Sequence, residues 1–551
     1  METSPMQNIY TKPALLAAFI CLALMIAAQL ARPLFPVDET RYLTVAWEMH
    51  QSGNYVLPSL NHEAYHHKPP VLFWLINLMW AIFGVSQGAA MVVPYLGAFA
   101  FLLATARLAT RLFPDNAQAP LLTTALLAGS LPFVIYSNLI MFDLLLGVFA
   151  ILGLTAVWDY MTTRSKKHLL LLALCIGFGV LTKGPVILLH IGTALLLAKI
   201  WINAPQAQLK KTILPLIGAV LLGAAIALSW AIPAAIEGGK EFADKIFWGQ
   251  TAGRMVKAFD HQRPIYWYLT FVPLFTLPWL ASPALWSGAK QFLKDKAPNA
   301  TSAKRFLFCW AVPVFVSFCL ISGKQVHYLI PILPALALFF TGAFLNAPDE
   351  WKKRDSLPVL VTTLLLAALP IIMNLFANKI GGMIEGDKHI EETFSQMALL
   401  PSSLAALFIF GVSIAAHRSK IKNIVAITLS MAAMMVSFQI AAKESFFANY
   451  NLTPLAEKIM EIDKQTLAQN EAFHPLAFTR NYHGEFGFLA RLNRPVKQIQ
   501  PDELSKWFND NPNGIALVRS KNELETKPYH VLYEQPYKLS SGYAIVETKK
   551  E

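Results

Sequence analysis

The chain has 551 residues, of which 55% are hydrophobic and only 15% are charged. Soluble domains carry roughly 25% charged residues, so this composition excludes an ordinary soluble protein and indicates a membrane protein with many spans. The formal net charge of +12 does not indicate nucleic-acid binding, because the cations lie in short loops between apolar segments, as the positive-inside rule predicts.

Long apolar segments recur along most of the chain, and a hydropathy window predicts about thirteen membrane helices. The approximate limits of these spans are 13–30, 91–110, 118–136, 140–160, 168–183, 186–203, 212–233, 265–287, 305–322, 326–345, 356–376, 401–416 and 423–441. The first segment is too long for the apolar region of a typical signal peptide, so we expect it to remain as a helix.

The loops between these spans predict the orientation. Alternate loops carry clusters of Lys and Arg, from Arg107 and Arg111 near the start to Lys420 and Lys422 near the end. If the N-terminus is cytoplasmic, every basic loop is cytoplasmic as well. The loops 31–90 and 234–264 and the chain after 443 then lie outside, in a bacterial periplasm or a eukaryotic lumen.

The outer segments have structure of their own. Apolar residues at helical spacing from Leu43 to Met49 and from Val71 to Met79 predict helices in the plane of the interface. The C-terminal part combines an amphipathic segment, Leu455 to Leu467, with four strand-like segments, which are 476–478, 514–518, 529–533 and 543–546. We therefore predict a membrane domain, 1–443, and a small α/β domain, 444–551.

Polar residues in the first outer loop are the first candidates for chemistry. Asp38 and Glu39 are either an interfacial carboxylate pair bridged to Arg41, or a base with its positioning group. Lys68 precedes two prolines, which hold the backbone in a defined place, and a fixed cation at the headgroup level suits a lipid phosphate. The alternative for Lys68 is a lysine that snorkels to the interface.

Further candidates come from later segments that end on the same side. Asp143 lies in an apolar run, where a carboxylate is costly, so it marks either a functional site or a structural pair with a neighbouring helix. Lys183 falls at the outer end of its span. The remaining outer candidates are Tyr42, Arg254, Arg263, Lys324, His327 and Tyr328.

Histidines raise the question of a metal. His66 and His67, joined by His261, would supply nitrogen ligands for a divalent ion such as zinc. No ligand-spacing signature accompanies them, so the alternative is that these histidines bind no metal. No other cofactor is indicated.

These motifs resemble those of the GT-C glycosyltransferases. The segment Asp38-Glu-Thr-Arg-Tyr42, followed by Lys68-Pro69 and Trp74, is similar to the first periplasmic loop of that superfamily, and in particular of the bacterial aminoarabinose transferases that modify lipid A, relatives of the protein O-mannosyltransferases. The similarity continues at Asp143, at Thr182-Lys-Gly184, and at the segments 261–268 and 324–328.

The resemblance implies a GT-C fold in the bacterial inner membrane and an inverting transfer from a polyprenyl (undecaprenyl) phosphate sugar. It implies that Asp38 is the catalytic or acceptor-orienting carboxylate and that Lys68 binds the donor phosphate. The residues that it places around the site are Arg41, Asp143, Arg254 and Tyr328. The aminoarabinose transferases typically carry an acidic residue before the lysine, where this chain has His67.

Several functions remain open at this stage. The leading acceptor is a phosphate of lipid A, and a protein or another glycan is the alternative acceptor. A transporter or flippase for lipid-linked sugars is the alternative from another class. Transporters place charged residues near the midplane of broken helices, whereas the candidates here lie at outer ends and in loops, which favours an enzyme.

Overall fold

The computed structural model describes residues 5–202, 206–248, 262–348, 352–383, 388–416, 419–468, 473–520, 526, 528–538 and 541–549. The first part of the chain forms helices α1 (Pro5–Ala31), α2 (Asp38–Ser52), α3 (Val71–Phe83), α4 (Gln87–Leu112), α5 (Ala119–Ala128), α6 (Leu131–Tyr136), α7 (Phe142–Thr163), α8 (Lys167–Lys183), α9 (Val186–Leu196), α10 (Ala198–Trp201) and α11 (Gln206–Asp244). A two-stranded hairpin, β1 (Ser59–Leu60) and β2 (Glu63–Ala64), separates α2 from α3.

The second part of the bundle is more broken. Its α-helices are Val272–Thr276, Pro283–Lys294, Pro298–Leu320, Leu333–Asn346, Lys353–Ala367, Leu369–Leu375, Ala377–Met383, Lys388–Ser395, Leu399–Ala416 and Lys420–Ala441. Tighter 3₁₀ turns cover Trp267–Phe271, Trp279–Ala281 and Val326–Ile332. Proline explains several of the breaks, because it removes a backbone donor and is best tolerated in the first turn of a new helix, where it stands in Val272–Thr276, Pro283–Lys294, Leu333–Asn346 and Leu369–Leu375.

The protein is a multi-pass membrane protein. Among the described residues, seven helices are long and apolar enough to cross a membrane, or eight if the bent pair 354–367 and 369–375 is one span. Each of the thirteen predicted spans coincides with helical structure, although some are divided. The predicted span 118–136, for example, is split into α5 and α6, where Pro132 lies in the first turn of the second helix.

Small residues let the bundle helices approach closely. At Gly177 of α8, an added Cβ would lie 2.6 Å from a side-chain carbon of Ile226 in α11. At Gly223 of α11, it would lie 2.7 Å from Ile176. Glycine at both positions therefore permits a backbone contact between α8 and α11 that any larger residue would prevent.

The connection between α7 and α8 decides which ends of the bundle meet. Helix α7 ends at Thr163, Arg164 adopts a left-handed conformation, and α8 begins at Lys167. So short a turn makes the two helices antiparallel neighbours, and they pack along each other. The first turn of α7 and the last turn of α8 consequently lie at the same end of the bundle.

The C-terminal part forms a five-stranded sheet with the order β4-β3-β5-β7-β6. The strands are β3 (Leu476–Phe478), β4 (Lys497–Gln498), β5 (Ile515–Ser520), β6 (His530–Tyr537) and β7 (Ser541–Glu547). Strands β4, β3 and β5 are parallel, and β7 pairs antiparallel with β5 and β6.

Both faces of this sheet are covered. Helix Thr453–Ala468 packs on one face through Leu455 and Ile459, and helix Leu504–Asp510 packs on the other through Leu504 and Phe508. The predicted small α/β domain and its four strands are confirmed, as are the predicted helices on either side of the hairpin in loop 31–90. The boundary at residue 443 stays a prediction.

Candidate active site

Asp38 and Glu39 are adjacent in the first turn of α2, but they face different surroundings. Glu39 is buried and accepts two hydrogen bonds from Arg32, at 2.6 and 2.9 Å. It also accepts from the backbone N–H groups of Phe35 at 2.8 Å and Ile140 at 2.7 Å. Because its oxygens are engaged from several directions and it is only 2% exposed, we assign Glu39 to holding the ends of α1, α2 and α7 together.

Asp38 is the open carboxylate of the pair. Its side chain is 47% exposed and lies 3.7 Å from the guanidinium of Arg41. The hydroxyl of Tyr42 donates a long hydrogen bond to it, at 3.5 Å. The first turn of a helix stabilises negative charge, so Asp38 has local support and retains an accessible oxygen for a substrate.

Asp143 and Lys183 form the buried centre of the site. The ammonium of Lys183, at the end of α8, donates to an oxygen of Asp143 in the first turn of α7 at 2.5 Å. Nε2 of His327 lies 4.0 Å from the other carboxylate oxygen. All three side chains are largely buried, at 13%, 5% and 14% exposure for Lys183, Asp143 and His327. Such a pair is held rigidly, because neither group can turn to water without losing its partner.

Aromatic rings enclose this ion pair. Lys183 Nζ lies 4.5 Å from the ring centroid of Tyr328, within the range of a cation–π contact. The His327 ring packs edge-on against Tyr328 at 4.8 Å, and Tyr136 lies 6.2 Å from His327. The start of the 3₁₀ turn Val326–Ile332 therefore encloses the ion pair together with α7 and α8.

Lys68 and Tyr42 bring the first outer loop to the same place. Lys68 Nζ lies 5.6 Å from the ring centroid of Phe142, the residue next to Asp143. Tyr42 packs edge-on against Phe142 at 4.9 Å, and Phe73 of α3 packs on Phe142 at 5.7 Å. Burial raises the pKa of the Tyr42 phenol well above its usual range, with Asp38 as a further cause. Tyr42 is therefore a neutral hydrogen-bond donor at neutral pH.

Other predicted residues lie elsewhere or have other partners. Lys324 is buried and donates to the backbone carbonyls of Arg263 at 3.1 Å and Ile321 at 2.5 Å. These bonds close the turn before the 3₁₀ segment, and Arg263 itself is exposed. Arg254 and His261 lie outside the described residues.

The histidines of loop 31–90 stack on each other. The rings of His66 and His67 lie 4.3 Å apart. The part of the chain that the structure describes contains no group of three or more His, Cys, Asp or Glu side chains placed to hold a metal ion. Since His261 falls outside that part, a metal on His66, His67 and His261 stays a prediction.

Sequence reasoning missed several contributors to the site. Phe142 and Tyr136 carry no polar signal in the sequence, and only their contacts reveal them. Arg32 offered a signal, because it is a cation directly after the first apolar segment, seven residues before Glu39. The C-terminal domain is expected to pack against the outer loops, and the segment around Gly484 does contact α2; no local pattern in the sequence predicts that particular contact.

The chain is similar to known glycosyltransferases. The family model described as dolichyl-phosphate-mannose-protein mannosyltransferase matches residues 67–232. A relative from Erwinia tasmaniensis, named undecaprenyl phosphate-alpha-4-amino-4-deoxy-L-arabinose arabinosyl transferase, is 27% identical over 375 residues, which are 66% of this chain and 65% of the relative. A relative of the same name from Yersinia enterocolitica is 28% identical over 354 residues, 62% of this chain and 60% of the relative. The matches thus span less than two thirds of these relatives.

Solved structures show the fold. The crystal structure of ArnT from Cupriavidus metallidurans bound to undecaprenyl phosphate superposes with a TM-score of 0.73 and 18% identity, covering 96% of this chain and 97% of that one. The archaeal oligosaccharyltransferase AglB from Archaeoglobus fulgidus gives a TM-score of 0.51 at 12% identity, covering 98% of this chain and 75% of that one. The predicted resemblance to the GT-C glycosyltransferases is confirmed, and the chain has their fold.

Proposed function

We propose that this GT-C chain is an inverting glycosyltransferase of the bacterial inner membrane. It would move a sugar from polyprenyl (undecaprenyl) phosphate to an acceptor in the periplasm, with a phosphate of lipid A as the first candidate. The names of the Erwinia and Yersinia relatives support this donor and a pentose such as an aminoarabinose. The position of His67, where the aminoarabinose transferases typically carry an acidic residue, leaves the sugar to experiment.

One observation carries the proposal. Four segments far apart in the chain place Asp38, Lys68, the Asp143–Lys183 pair and His327 around Phe142 and Tyr328, at one end of the helix bundle. A carboxylate, a cation and a rigid ion pair beside aromatic rings match what glycosyl transfer from a lipid phosphate requires. The charges also lie at helix ends rather than at midspan, which disfavours a transporter.

The chemistry is a displacement at the anomeric carbon. An acceptor oxygen forms a bond to the anomeric carbon while the bond between that carbon and the donor phosphate oxygen breaks. The electron pair of the broken bond leaves with the polyprenyl phosphate. Lys68 would stabilise the charge that develops on the leaving phosphate. Arg41, whose guanidinium lies 3.7 Å from Asp38, would assist. The Asp143–Lys183 pair would fix the floor of the site with no net charge of its own.

Asp38 would act on the acceptor. A hydroxyl acceptor must lose its proton as it attacks, and Asp38 would take that proton as a general base. A phosphate acceptor is already anionic, so Asp38 would need only to orient the donor sugar or the acceptor through hydrogen bonds. The two acceptor classes therefore place different demands on the same carboxylate.

A protein or glycan hydroxyl is the second candidate acceptor. It is favoured by the match of residues 67–232 to a family described as protein mannosyltransferases, which would also change the sugar from a pentose to a hexose. Both candidate functions use the same donor site and the same displacement reaction. They differ in the acceptor that binds beside Asp38.

The orientation and the domain division belong to the same proposal. We place the N-terminus in the cytoplasm and the site in the periplasm together with the sheet domain 444–551. Supporting this, Asp38, Lys68, Asp143, Lys183 and His327 all gather at one end of the bundle, while Arg111 and Lys167 lie at the other end of α7. An engineered Ser52→Cys should react with an impermeant thiol reagent before the inner membrane is permeabilised.

The decisive experiment uses purified protein, a defined undecaprenyl-phosphate sugar and two acceptors, lipid A and a hydroxyl-bearing peptide. Asp38→Asn keeps the shape of the side chain but removes the base. With a hydroxyl acceptor, turnover should fall by roughly 10² to 10⁴, the usual contribution of general-base catalysis. With lipid A phosphate, the loss should be smaller, while Asp38→Ala should be inactive with either acceptor because positioning is lost as well.

The matched control is Glu63→Gln, because Glu63 is an exposed carboxylate of the same outer loop. Its turnover should equal that of the unmodified protein. Absence of sugar transfer by the unmodified protein to any acceptor, together with movement of labelled donor across a vesicle membrane, would replace the enzyme proposal with the flippase alternative.

A further inference from the structure

The connection between β3 and β4 leaves the C-terminal sheet and lies on α2, the helix that carries Asp38. Its residues 482–496 contact the face of α2 formed by Thr44 and Trp47, about two turns beyond Asp38. Trp47 Nε1 donates to the carbonyl of Leu492 at 2.9 Å. The sheet domain is thereby joined directly to a candidate catalytic helix.

Thr44 is the centre of this junction. Its hydroxyl donates to the carbonyl of Gly484 at 2.9 Å and accepts from the backbone N–H of Phe488 at 3.0 Å. Thr44 is 2% exposed, so water does not compete for either bond. A buried hydroxyl that satisfies two backbone groups of another domain is costly to remove, because both groups would be left unpaired.

Glycine allows the connection to come this close. Gly484 has φ of +82°, and a Cβ at this position would lie 3.1 Å from Cα of Arg41 and 2.9 Å from a side-chain carbon of Leu60. At Gly487, a Cβ would lie 2.6 Å from Cγ2 of Thr44. The backbone of the connection therefore rests on the backbone of the turn of α2 that holds Arg41.

The same connection also holds the hairpin that leads to Lys68. Asn61, between β1 and β2, donates to the carbonyl of Val496 at 3.0 Å and accepts from the N–H of Val496 at 2.7 Å. Glu48 of α2 in turn accepts from the backbone N–H groups of Asn61 at 2.7 Å and His62 at 3.0 Å. Helix, hairpin and connection form one hydrogen-bonded unit.

Aromatic packing extends this unit to α3. The ring of Phe488 stacks on Trp80 of α3 at 5.2 Å and 6°. The guanidinium of Arg491 lies 4.0 Å from the Phe488 ring and 5.2 Å from the Trp47 ring. The connection thus contacts α2 before Lys68 and α3 after it.

We propose that residues 482–496 are a positioning element of the active site, which fixes α2 relative to the hairpin and α3 and so sets the separation between Asp38 and Lys68. The inference rests on the proposed function for the roles of these two residues. Thr44, on α2, and Gly484, in the connection, are positioning residues, because the hydrogen bond between them joins the two segments. Displacement of a reacting group by about 1 Å can reduce turnover by about 10², so loosening this junction should act on kcat.

The test compares one substitution at two sites. Thr44→Val removes both junction bonds and keeps the shape of the side chain. Thr466→Val is the control, because Thr466 is also 2% exposed but its hydroxyl bonds within its own helix, to the carbonyl of Ile462 at 2.9 Å. Thr44→Val should lower kcat by roughly 10- to 100-fold with a smaller change in KM, while Thr466→Val leaves both constants unchanged.

A second variant guards against misfolding at Thr44. Gly484→Ala introduces a Cβ against Arg41 at a left-handed position, where a side chain is strained. It should lower kcat in the same direction as Thr44→Val. Wild-type kcat in both variants would overturn the proposal, as would an equal loss in Thr466→Val, since the effect would then be one of general stability.

A readout without catalysis separates this inference from the proposed function. Amide hydrogen exchange of α2, measured on the whole protein in detergent, should become faster in Thr44→Val and Gly484→Ala and stay unchanged in Thr466→Val. If the unmodified protein transfers no sugar, the proposed function fails, and exchange alone decides the junction. Unchanged exchange of α2 in both junction variants would overturn the positioning role whatever the activity.

Discussion

The two ends of α7 carry similar groups in different settings. Asp143 in the first turn pairs with Lys183 at 2.5 Å, with His327 4.0 Å away. Asp159 near the last turn pairs with Arg111 at 2.7 Å, with His168 3.8 Å away. Both carboxylates are 5% exposed, so each end has a buried acid, a cation from a neighbouring helix and a histidine.

The difference lies in what surrounds each pair. Lys183 is 13% exposed and packs against the Tyr328 ring, and the first outer loop adds Lys68 and Tyr42 beside Phe142. Arg111 is 39% exposed and lies in the last turn of α4. A buried ion pair alone therefore does not mark a site. The Asp143 end differs because segments far apart in the chain bring cations and aromatic rings together there.

Among the substitutions that test the difference between the two ends of α7, Lys68→Ala should lower turnover most. Loss of a cation that stabilises the leaving phosphate should reduce turnover by at least ~10²–10³, measured with purified protein and a defined donor. Lys167→Ala is the control from the other end of α7, where Lys167 is exposed, and it should retain full turnover. Lys68→Arg should keep only part of the activity, since a planar guanidinium does not replace a point charge. Near wild-type turnover of Lys68→Ala would reduce Lys68 to an interfacial lysine.

Asp143→Asn and Asp159→Asn test the two ends directly. Asp143→Asn leaves the buried ammonium of Lys183 without its partner, a change that typically destabilises by about 3–5 kcal/mol, and we expect loss of transfer. Asp159→Asn leaves Arg111, which reaches water, so both fold and turnover should change little. The measurements are thermal unfolding in detergent and turnover.

A double variant separates structure from function at the Asp143 end. Asp143→Asn with Lys183→Met removes both charges and should recover much of the lost stability. Turnover should remain low if the pair orients substrate. Recovery of turnover together with stability would show that the pair is purely structural, like the pair at the other end of α7.

Tyr328 should give an intermediate effect. Tyr328→Phe keeps the ring beside Lys183 and should change turnover by less than about 3-fold, whereas Tyr328→Leu removes a cation–π contact worth about 0.5–2 kcal/mol and should reduce kcat/KM by about 2- to 30-fold. If both variants keep the turnover of the unmodified protein, the ring has no role in transfer. A large loss in Tyr328→Phe would instead place the hydroxyl on the substrate.

The smallest effect is expected from Glu485, in the connection that contacts α2. Burial raises the pKa of this carboxyl, and the N–H of His483 and the charge of Arg41 oppose the shift only in part. The folded state therefore binds its proton more tightly than the unfolded state. The stability from this group is present below the ordinary glutamate pKa and is lost as pH rises through the folded value.

Glu485→Gln should remove that pH dependence. We expect the unfolding temperature of the unmodified protein to fall, relative to that of the variant, as pH rises above the ordinary range of a glutamate. Parallel pH profiles of the two proteins, measured in the same detergent, would contradict the expectation.

Local patterns in the sequence predicted the membrane class, the helical segments and the small sheet domain. Apolar runs of span length and strand-like alternation depend on local composition and spacing, which any segment carries within itself. The same applies to the identity of the candidates: a lysine before two prolines and a carboxylate in an apolar run are unusual wherever they lie. The resemblance to the GT-C glycosyltransferases followed from such short motifs.

Tertiary structure alone decided which candidates meet. Sequence treats Asp38 and Glu39 alike, yet consecutive residues of a helix point about 100° apart, and this rotation buries Glu39 on Arg32 while Asp38 stays open. The partner of Asp143 is 40 residues away in the chain, and Thr44 bonds to a carbonyl 440 residues away. No local pattern encodes such contacts, because they depend on how all the helices pack together.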